Sequence, residues 1–330
     1  MKMTKHFKYL AGAAVIGMAT GAAAQDVTIN LGHVGPAANP YSWATEHFAE
    51  KVAEYTDGSV EIALFPGAQL GGDRDLLEGI QLGSVEAGYI SLAIWENLTP
   101  ALTGFSMPFL IDSYETAYEA QTSDVAARAL EEFEDFNIKA LAIVENGFRV
   151  PGNTVRPIRT PEDFEGIAFR APEAPLLLSM FDRLGAIVTP MPYPEIFTAL
   201  QTGVLQGQDQ FLNTWISQGA YEVVDYLSIT QMYTWSAVLA VNLQVWEGLT
   251  PEQQDALMRA AADTQRYNYE LMAQTDAESI EILEANELQI EQDIDLAPFA
   301  EVLAPLYEEY AGRDPIIAET IEMIEEIRAD

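Results

Sequence analysis

Between Val27 and Ile90 the chain alternates strand and helix signals, and this alternation restricts its fold more than any other feature. Val27 to Leu31 alternates with the period of a strand, and Tyr41 to Tyr55 carries apolar residues at helical spacing before the turn Thr56-Asp57-Gly58-Ser59. Val60 to Phe65 reads as the next strand, Arg74 to Leu82 as a helix closed by Gly83, and Ser84 to Ile90 as a third strand. An irregular, apolar-rich stretch then runs to Asp112. Such β-α-β-α-β order predicts a largely parallel sheet with helices on both faces, and sheets of that kind bind ligands outside the carboxyl ends of their strands.

The pattern returns further along, with a strand over Lys139 to Glu145 and a short helix from Pro161 with Thr160 as N-cap. The strand Gly166 to Arg170 and a helix over Ala174 to Leu184 follow. Leu77 to Gly88 also echoes Phe197 to Gly207 in its helix, glycine cap and following strand, which favours two lobes of similar build with a cleft between them. From Thr250, a capping box with Pro251 and Gln253 opens a run without proline or glycine to about Ala285. A helix of ~35 residues is roughly 50 Å long and would cross both lobes. Two helices broken near Ala273 to Asp276 are the alternative. The acidic tail from Pro298 to Arg328 reads as a helical cover. Lobe I is expected at 25–147 plus about 236–275, and lobe II at 148–235 plus about 276–330.

Lys2, Lys5 and Lys8 precede an apolar run, Tyr9 to Met18, that ends in Ala22-Ala23-Ala24. This reads as a signal peptide over residues 1–24 and predicts an exported, periplasmic protein. No later segment approaches the ~20 apolar residues of a spanning helix. Removing the leader takes away three of 16 basic residues and none of the 51 acidic ones, moving the net charge from −35 to −38. A field of that sign repels nucleic acid and anionic lipid, so neither is expected as a partner.

Against that background Arg149, after Asn146-Gly147, and Arg170, in Phe169-Arg170-Ala171-Pro172, stand in apolar strand-like surroundings. A guanidinium keeps its charge and grips a carboxylate through two parallel hydrogen bonds, so an arginine at the end of an apolar strand points to an organic acid. A structural ion pair explains either arginine equally well. The catalytic inventory is poor. Cysteine is absent, His33 and His47 lack metal-ligand spacing, and no nucleophile elbow, phosphate loop or dinucleotide motif is present. No cofactor, metal or catalytic residue is expected, and Asp73 and Glu78 read as charges on a helix surface. Trp95, Trp215 and Trp235 read as either pocket wall or core, and Trp43 and Trp246 as core.

Several motifs together resemble the DctP-type substrate-binding proteins of tripartite ATP-independent periplasmic (TRAP) transporters. They are Phe65 to Arg74 (FPGAQLGGDR), Pro157 to Gly166 (PIRTPEDFEG), Phe169-Arg170-Ala171-Pro172, Thr189-Pro190-Met191, and Glu195 to Gly203 through Gly207-Gln208. The resemblance runs along essentially the whole mature chain. It implies an α/β, two-lobed periplasmic binding protein fold with hinge strands and a long helix spanning both lobes. It also implies capture of a small organic acid by closure and delivery to a sodium-driven TRAP membrane permease, by a monomer that is not an enzyme. By position, the family's carboxylate-clamping arginine falls on Arg170 and its second arginine on Arg149. Gln210 stands where relatives often have asparagine, the aromatic position falls on Tyr193, and the specificity positions fall on Ser91, Trp95, Trp215 and Trp235. With His33, these make up the candidate ligand-binding set. Ser91 stands where a sialic-acid binder would have glutamate, which discounts that ligand. The large aromatics point to a compact or partly apolar acid rather than a polyhydroxylated sugar acid. An exported carboxylate-dependent hydrolase, or a binding protein for a sensor kinase or another transporter class, are the alternatives.

Overall fold

The computed structural model describes residues 27–286 and 288–329. The expected signal peptide lies outside the described residues. Ten strands make up one mixed sheet: β1 (Val27–His33), β2 (Val60–Phe65), β3 (Ala87–Ser91), β4 (Ile138–Asn153), β5 (Ala168–Ala171), β6 (Ile187–Pro190), β7 (Gly207–Phe211), β8 (Tyr226–Ser228), β9 (Thr234–Asn242) and β10 (Gln289–Glu291). Their order is β2-β1-β3-β9-β4-β7-β5-β6, with β8 joining β4 to β10.

The largely parallel sheet expected from the sequence is found only within each lobe. β1 pairs in parallel with β2 and β3, and β5 with β6 and β7. Between these groups run β9 and β4, both antiparallel to their neighbours. They return the chain from one lobe to the other, so no crossover helix sets their direction. β4 is also twice the length expected. Asn146-Gly147 reads as a strand end, yet Gly147, at φ 125°, forms a bulge instead. The register against β9 shifts between Glu145 and Phe148, and from Arg149 onward β4 pairs with β7. A bulge adds a residue and bends the strand without ending it. One strand thereby belongs to both lobes.

The helix Pro251–Glu284 is unbroken, opened by the Thr250/Gln253 capping box. Its Leu257, Ala260 and Ala261 lie in the main core, while Leu283 packs with Val150, Leu212 and Leu227 in a second core under the other lobe. It spans both lobes. The tail forms three helices, Ala297–Leu303, Pro305–Ala311 and Pro315–Ala329. The first packs against the helix Pro175–Arg183 of the second lobe. The last lies on Pro100–Ser106, Tyr114–Gln121 and Asp124–Glu131 of the first. Ile317 and Ile324 of this last helix are buried in the main core, which takes in residues of both lobes. The internal echo is present in local structure. Gly83 and Gly203 both take left-handed conformations after a helix, at φ 78° and 73°, and β3 and β7 each begin four residues later.

Candidate ligand-binding site

The bulge at Gly147 sets Arg149 where β4 enters the second lobe, and the neighbouring β7 supplies its partners. Arg149 Nε donates to Asp209 Oδ2 at 3.1 Å and Nη2 to Asp209 Oδ1 at 2.9 Å, while Nη1 donates to Gln210 Oε1 at 3.0 Å. Tyr233 also donates to the Asp209 carboxylate, and the Arg149 guanidinium lies 4.3 Å over the Trp235 ring. Arg149 and Asp209 are both buried. For Arg149 the structural ion pair is thus real, and it is held on all sides.

Arg170, near the carboxyl end of β5, is bonded differently. It is 5% exposed, and its Nε donates to the Met191 carbonyl at 2.9 Å. Among the described residues no carboxylate pairs with it, and its two terminal nitrogens make no protein hydrogen bond. Burial, with Arg149 nearby, lowers its pKa from 12.5 to about 10. Such a group needs an anion.

Both arginines line a pocket between the lobes, about 390 Å³ of space that is partly open to solvent. The first lobe contributes Tyr41, Asp73, Ser91, Ile94 and Asn39, and the second Tyr193, Gln210, Phe211 and Thr214, with Trp235 at the start of β9. The Tyr193 hydroxyl is buried without a hydrogen-bond partner. Gln210 spends its oxygen on Arg149 and one N–H on Gln208 Oε1 at 3.0 Å, leaving one amide proton. On the first-lobe wall Trp235 Nε1 donates to Tyr41 at 2.9 Å, Tyr41 and Ser91 hydroxyls lie 2.8 Å apart, and Ser91 donates to the Asp73 carboxylate. The lobes meet around this space. Asn39 Nδ2 donates to Thr214 at 3.1 Å and to Ser217 at 3.2 Å, Asn97 to the Glu173 carbonyl at 3.1 Å, and Leu176 N to Glu96 Oε2 at 3.0 Å.

Asp73 is the residue that sequence reasoning misplaced. It reads as a helix-surface charge, but Asp75 caps the helix Asp73–Leu82 by accepting from Gly72 N at 2.9 Å, and Asp73 turns into the cavity. Burial there raises its pKa to about 6 in spite of the two bonds from Ser91 and the pull of Arg170. Three expected contacts lie elsewhere. Trp95 is fully buried, packs edge-on against Phe133 at 4.6 Å, and gives its N–H to Ile90 O at 3.3 Å. Trp215 is held in the second core with its N–H on Val150 O at 3.2 Å, and the helical turn presents its neighbour Thr214 to the cavity instead. His33 lies outside the lining, 3.2 Å from Thr45 Oγ1, with its pKa lowered by burial to about 4. With Trp95 and Trp215 gone from the wall, the aromatic argument against hydroxylated acids loses its main support. Arg159 and Arg183 form exposed ion pairs with Glu291 and Glu309.

This geometry, an arginine-lined cavity closed by two lobes on shared strands, can be set beside known proteins. Residues 31–314 match the profile of the bacterial extracellular solute-binding proteins of family 7, DctP. The chain belongs to this family. A solute-binding protein of Roseobacter denitrificans is 30% identical over 317 residues, which is 95% of this chain and 93% of that one. The C4-dicarboxylate-binding periplasmic protein DctP of Rhodobacter capsulatus is 28% identical over 331 residues, 97% of each chain. The structure of a TRAP periplasmic solute-binding protein from a Polaromonas species, bound to D-erythronate, is similar with a TM-score of 0.86 at 28% identity, covering 90% of this chain and 98% of that one. DctP proteins are periplasmic substrate-binding proteins that take small organic acids and work with TRAP permeases. Among the described residues no helix is long and apolar enough to cross a membrane.

Proposed function

We propose that this DctP protein is exported to the periplasm, captures a small carboxylate between its lobes as a monomer, and hands it unchanged to a sodium-driven TRAP permease. Arg170 grips the carboxylate with its two terminal nitrogens. Arg149 is fixed by Asp209 and reinforces the positive field, the free Gln210 amide proton and Tyr193 hydroxyl add contacts, and Trp235 forms an aromatic wall with Ser91 and Tyr41 opposite. Lobe I comprises 25–147, about 236–275 and the last helix, and lobe II comprises 148–235 with the chain between about 276 and the last helix. The Gly147 bulge is where β4 bends on opening.

The observation that carries this reading is the buried Arg170 guanidinium, which faces the pocket between the lobes and has no carboxylate partner among the described residues. A buried charge of that kind is costly until an anion arrives. The test is a thermal-shift screen of the ligand-stripped protein against organic acids, followed by small-angle scattering with and without the best one. Ligand at 100 times its Kd stabilises the native state by about 3 kcal/mol. The expected outcome is stabilisation by a carboxylate, its recovery unaltered after incubation, and a smaller radius of gyration when bound. Turnover of the ligand, or no response to any acid, overturns the reading.

A further inference from the structure

We propose that Glu145 is the positioning residue of the hinge: its carboxylate fastens the bulge of β4 to the first lobe, so that closure turns at Gly147 and carries Arg149 with the second lobe. This rests on the reading of capture by closure above and adds the group that locates the pivot.

Glu145 is buried, and every hydrogen bond its carboxylate accepts comes from an uncharged donor. Oε1 takes Asn146 N at 3.1 Å and Gly147 N at 2.9 Å, the two amides of the bulge. Oε2 takes Gln121 Nε2 at 2.9 Å and Ser236 Oγ at 2.8 Å, from the helix Tyr114–Gln121 and from β9. Burial raises the Glu145 pKa although all four bonds favour the anion. A buried anion held only by neutral donors is a costly choice for stability alone, and what these bonds fix is geometry.

The bonds on either side divide the strand. Before the bulge they run to the first lobe and the long helix: Gln265 donates to Ile143 O at 2.8 Å, Asn268 to Glu145 O at 2.7 Å, and Tyr89 to Asn146 Oδ1 at 2.9 Å. After it, Arg149 is bonded to Asp209 and Gln210 of β7. Gly147 lies between, at φ 125°, where an added Cβ would come within 3.0 Å of Phe211 Cβ. A residue without Cβ turns most freely, so the strand swivels here while the tethered residues before it stay with the first lobe. Without the Glu145 carboxylate the two bulge amides lose their acceptor. The swivel then spreads along the strand, the lobes sample a wider range of angles, and closure has more freedom to remove.

The test reads the hinge directly in the ligand-stripped full chain. The sequence has no cysteine, so Glu78→Cys and Glu195→Cys take nitroxide labels at two exposed sites. They stand near Arg74 and Tyr193, which line one opening of the cleft from the two lobes. Pulsed electron paramagnetic resonance then gives the spread of interlobe distances, and hydrogen exchange follows the amides. Glu145→Met is expected to broaden that spread and to speed exchange at Asn146 and Gly147 about tenfold, the loss of one ordinary hydrogen bond. Exchange elsewhere in the first lobe should stay within about twofold of wild type, since a local opening need not unfold its surroundings. Glu145→Gln is expected to behave as wild type, because its one amide oxygen still serves the bulge and Gln121 can turn its own amide to face the new nitrogen. Glu145→Ser takes the place of Glu145→Met if circular dichroism shows the latter unfolded. A Glu145→Met spread as narrow as wild type, a Glu145→Gln spread as broad as that of Glu145→Met, or exchange raised evenly across the first lobe overturns the inference. Acetate, butanoate and butanedioate are then added to each labelled protein. A spread broadened by Glu145→Met that no acid narrows in either protein supports the pivot and counts against the carboxylate reading, whereas equal spreads that an acid narrows alike sink the pivot and leave that reading standing.

Discussion

Replacing Arg149 and Arg170 by methionine, one at a time, separates what holds the fold from what holds the ligand. Arg149→Met leaves Asp209 fully buried, with Tyr233 as the remaining hydrogen-bond donor to its carboxylate among the described residues. Breaking a buried pair in this way typically costs about 3–5 kcal/mol. Among the described residues Arg170 has no such partner. Its pKa, lowered from 12.5 to about 10, means that the charged side chain costs the empty protein about 3 kcal/mol. The opposing gain is one bond from a charged donor to the Met191 carbonyl, worth about 1.5–3 kcal/mol. Arg170→Met is therefore expected to be neutral or to stabilise by up to ~1.5 kcal/mol. Its binding should fall by about 2–5 kcal/mol, roughly 30- to 5,000-fold. Denaturant unfolding of the ligand-stripped proteins measures the first quantity, and calorimetry with the acid giving the largest thermal shift measures the second. An Arg170→Met variant that loses as much stability as Arg149→Met, or that binds within about threefold of wild type, would refute the assignment of the two arginines.

Arg170→Lys should lose nearly as much binding as the methionine variant, since an ammonium cannot reproduce a planar two-point grip; calorimetry on a folded variant checks this. Ligand-induced change in tryptophan fluorescence should vanish in Trp235→Phe and persist in Trp95→Phe and Trp215→Phe, as only Trp235 lines the cavity; a signal that survives in Trp235→Phe places the reporter elsewhere. Asp73 has its folded pKa raised to about 6, above its value of 3.8 outside the fold, so its contribution to stability is full below pH ~4 and lost as pH rises through ~6. The melting temperature of empty Asp73→Asn should consequently gain on wild type between pH 4 and 6.5, and parallel curves would contradict the burial of Asp73. Asn39→Ala removes bonds to Thr214 and Ser217 across the cleft and the cap that Asn39 Oδ1 provides by accepting from Tyr41 N, and should weaken ligand affinity several-fold while costing the empty protein about 0.5–2 kcal/mol, the loss of a helix cap.

The elements most legible in the sequence were those set by local chemistry. The capping box and the absence of helix breakers located Pro251–Glu284, and the glycine caps at Gly83 and Gly203 located two helix ends. Arg149 and Arg170 stood out because a guanidinium among apolar strand residues has few explanations. What stayed hidden depends on pairing between distant segments. Nothing local shows that β9 inserts between β3 and β4, or that the bend at Gly147 prolongs a strand. Trp95 and Trp215 read as either wall or core, because periodicity identifies an element without showing which neighbour covers it. Asp73 had a readable signal in the Gly71-Gly72-Asp73-Arg74-Asp75 run: with two acids in one first turn, the second caps and the first is free to point elsewhere.

The place of β9 in the sheet has a bearing on how the chain travels. The first lobe cannot close its sheet until Thr234–Asn242 has arrived, although β1 through β4 are complete by Asn153. The helix that braces both lobes comes later still. Sheets built on such distant pairings form slowly, because the loop must be closed before any contact rewards it. A chain that appears N-terminus first, as in synthesis, thus keeps its first lobe unfinished until Asn242 has followed.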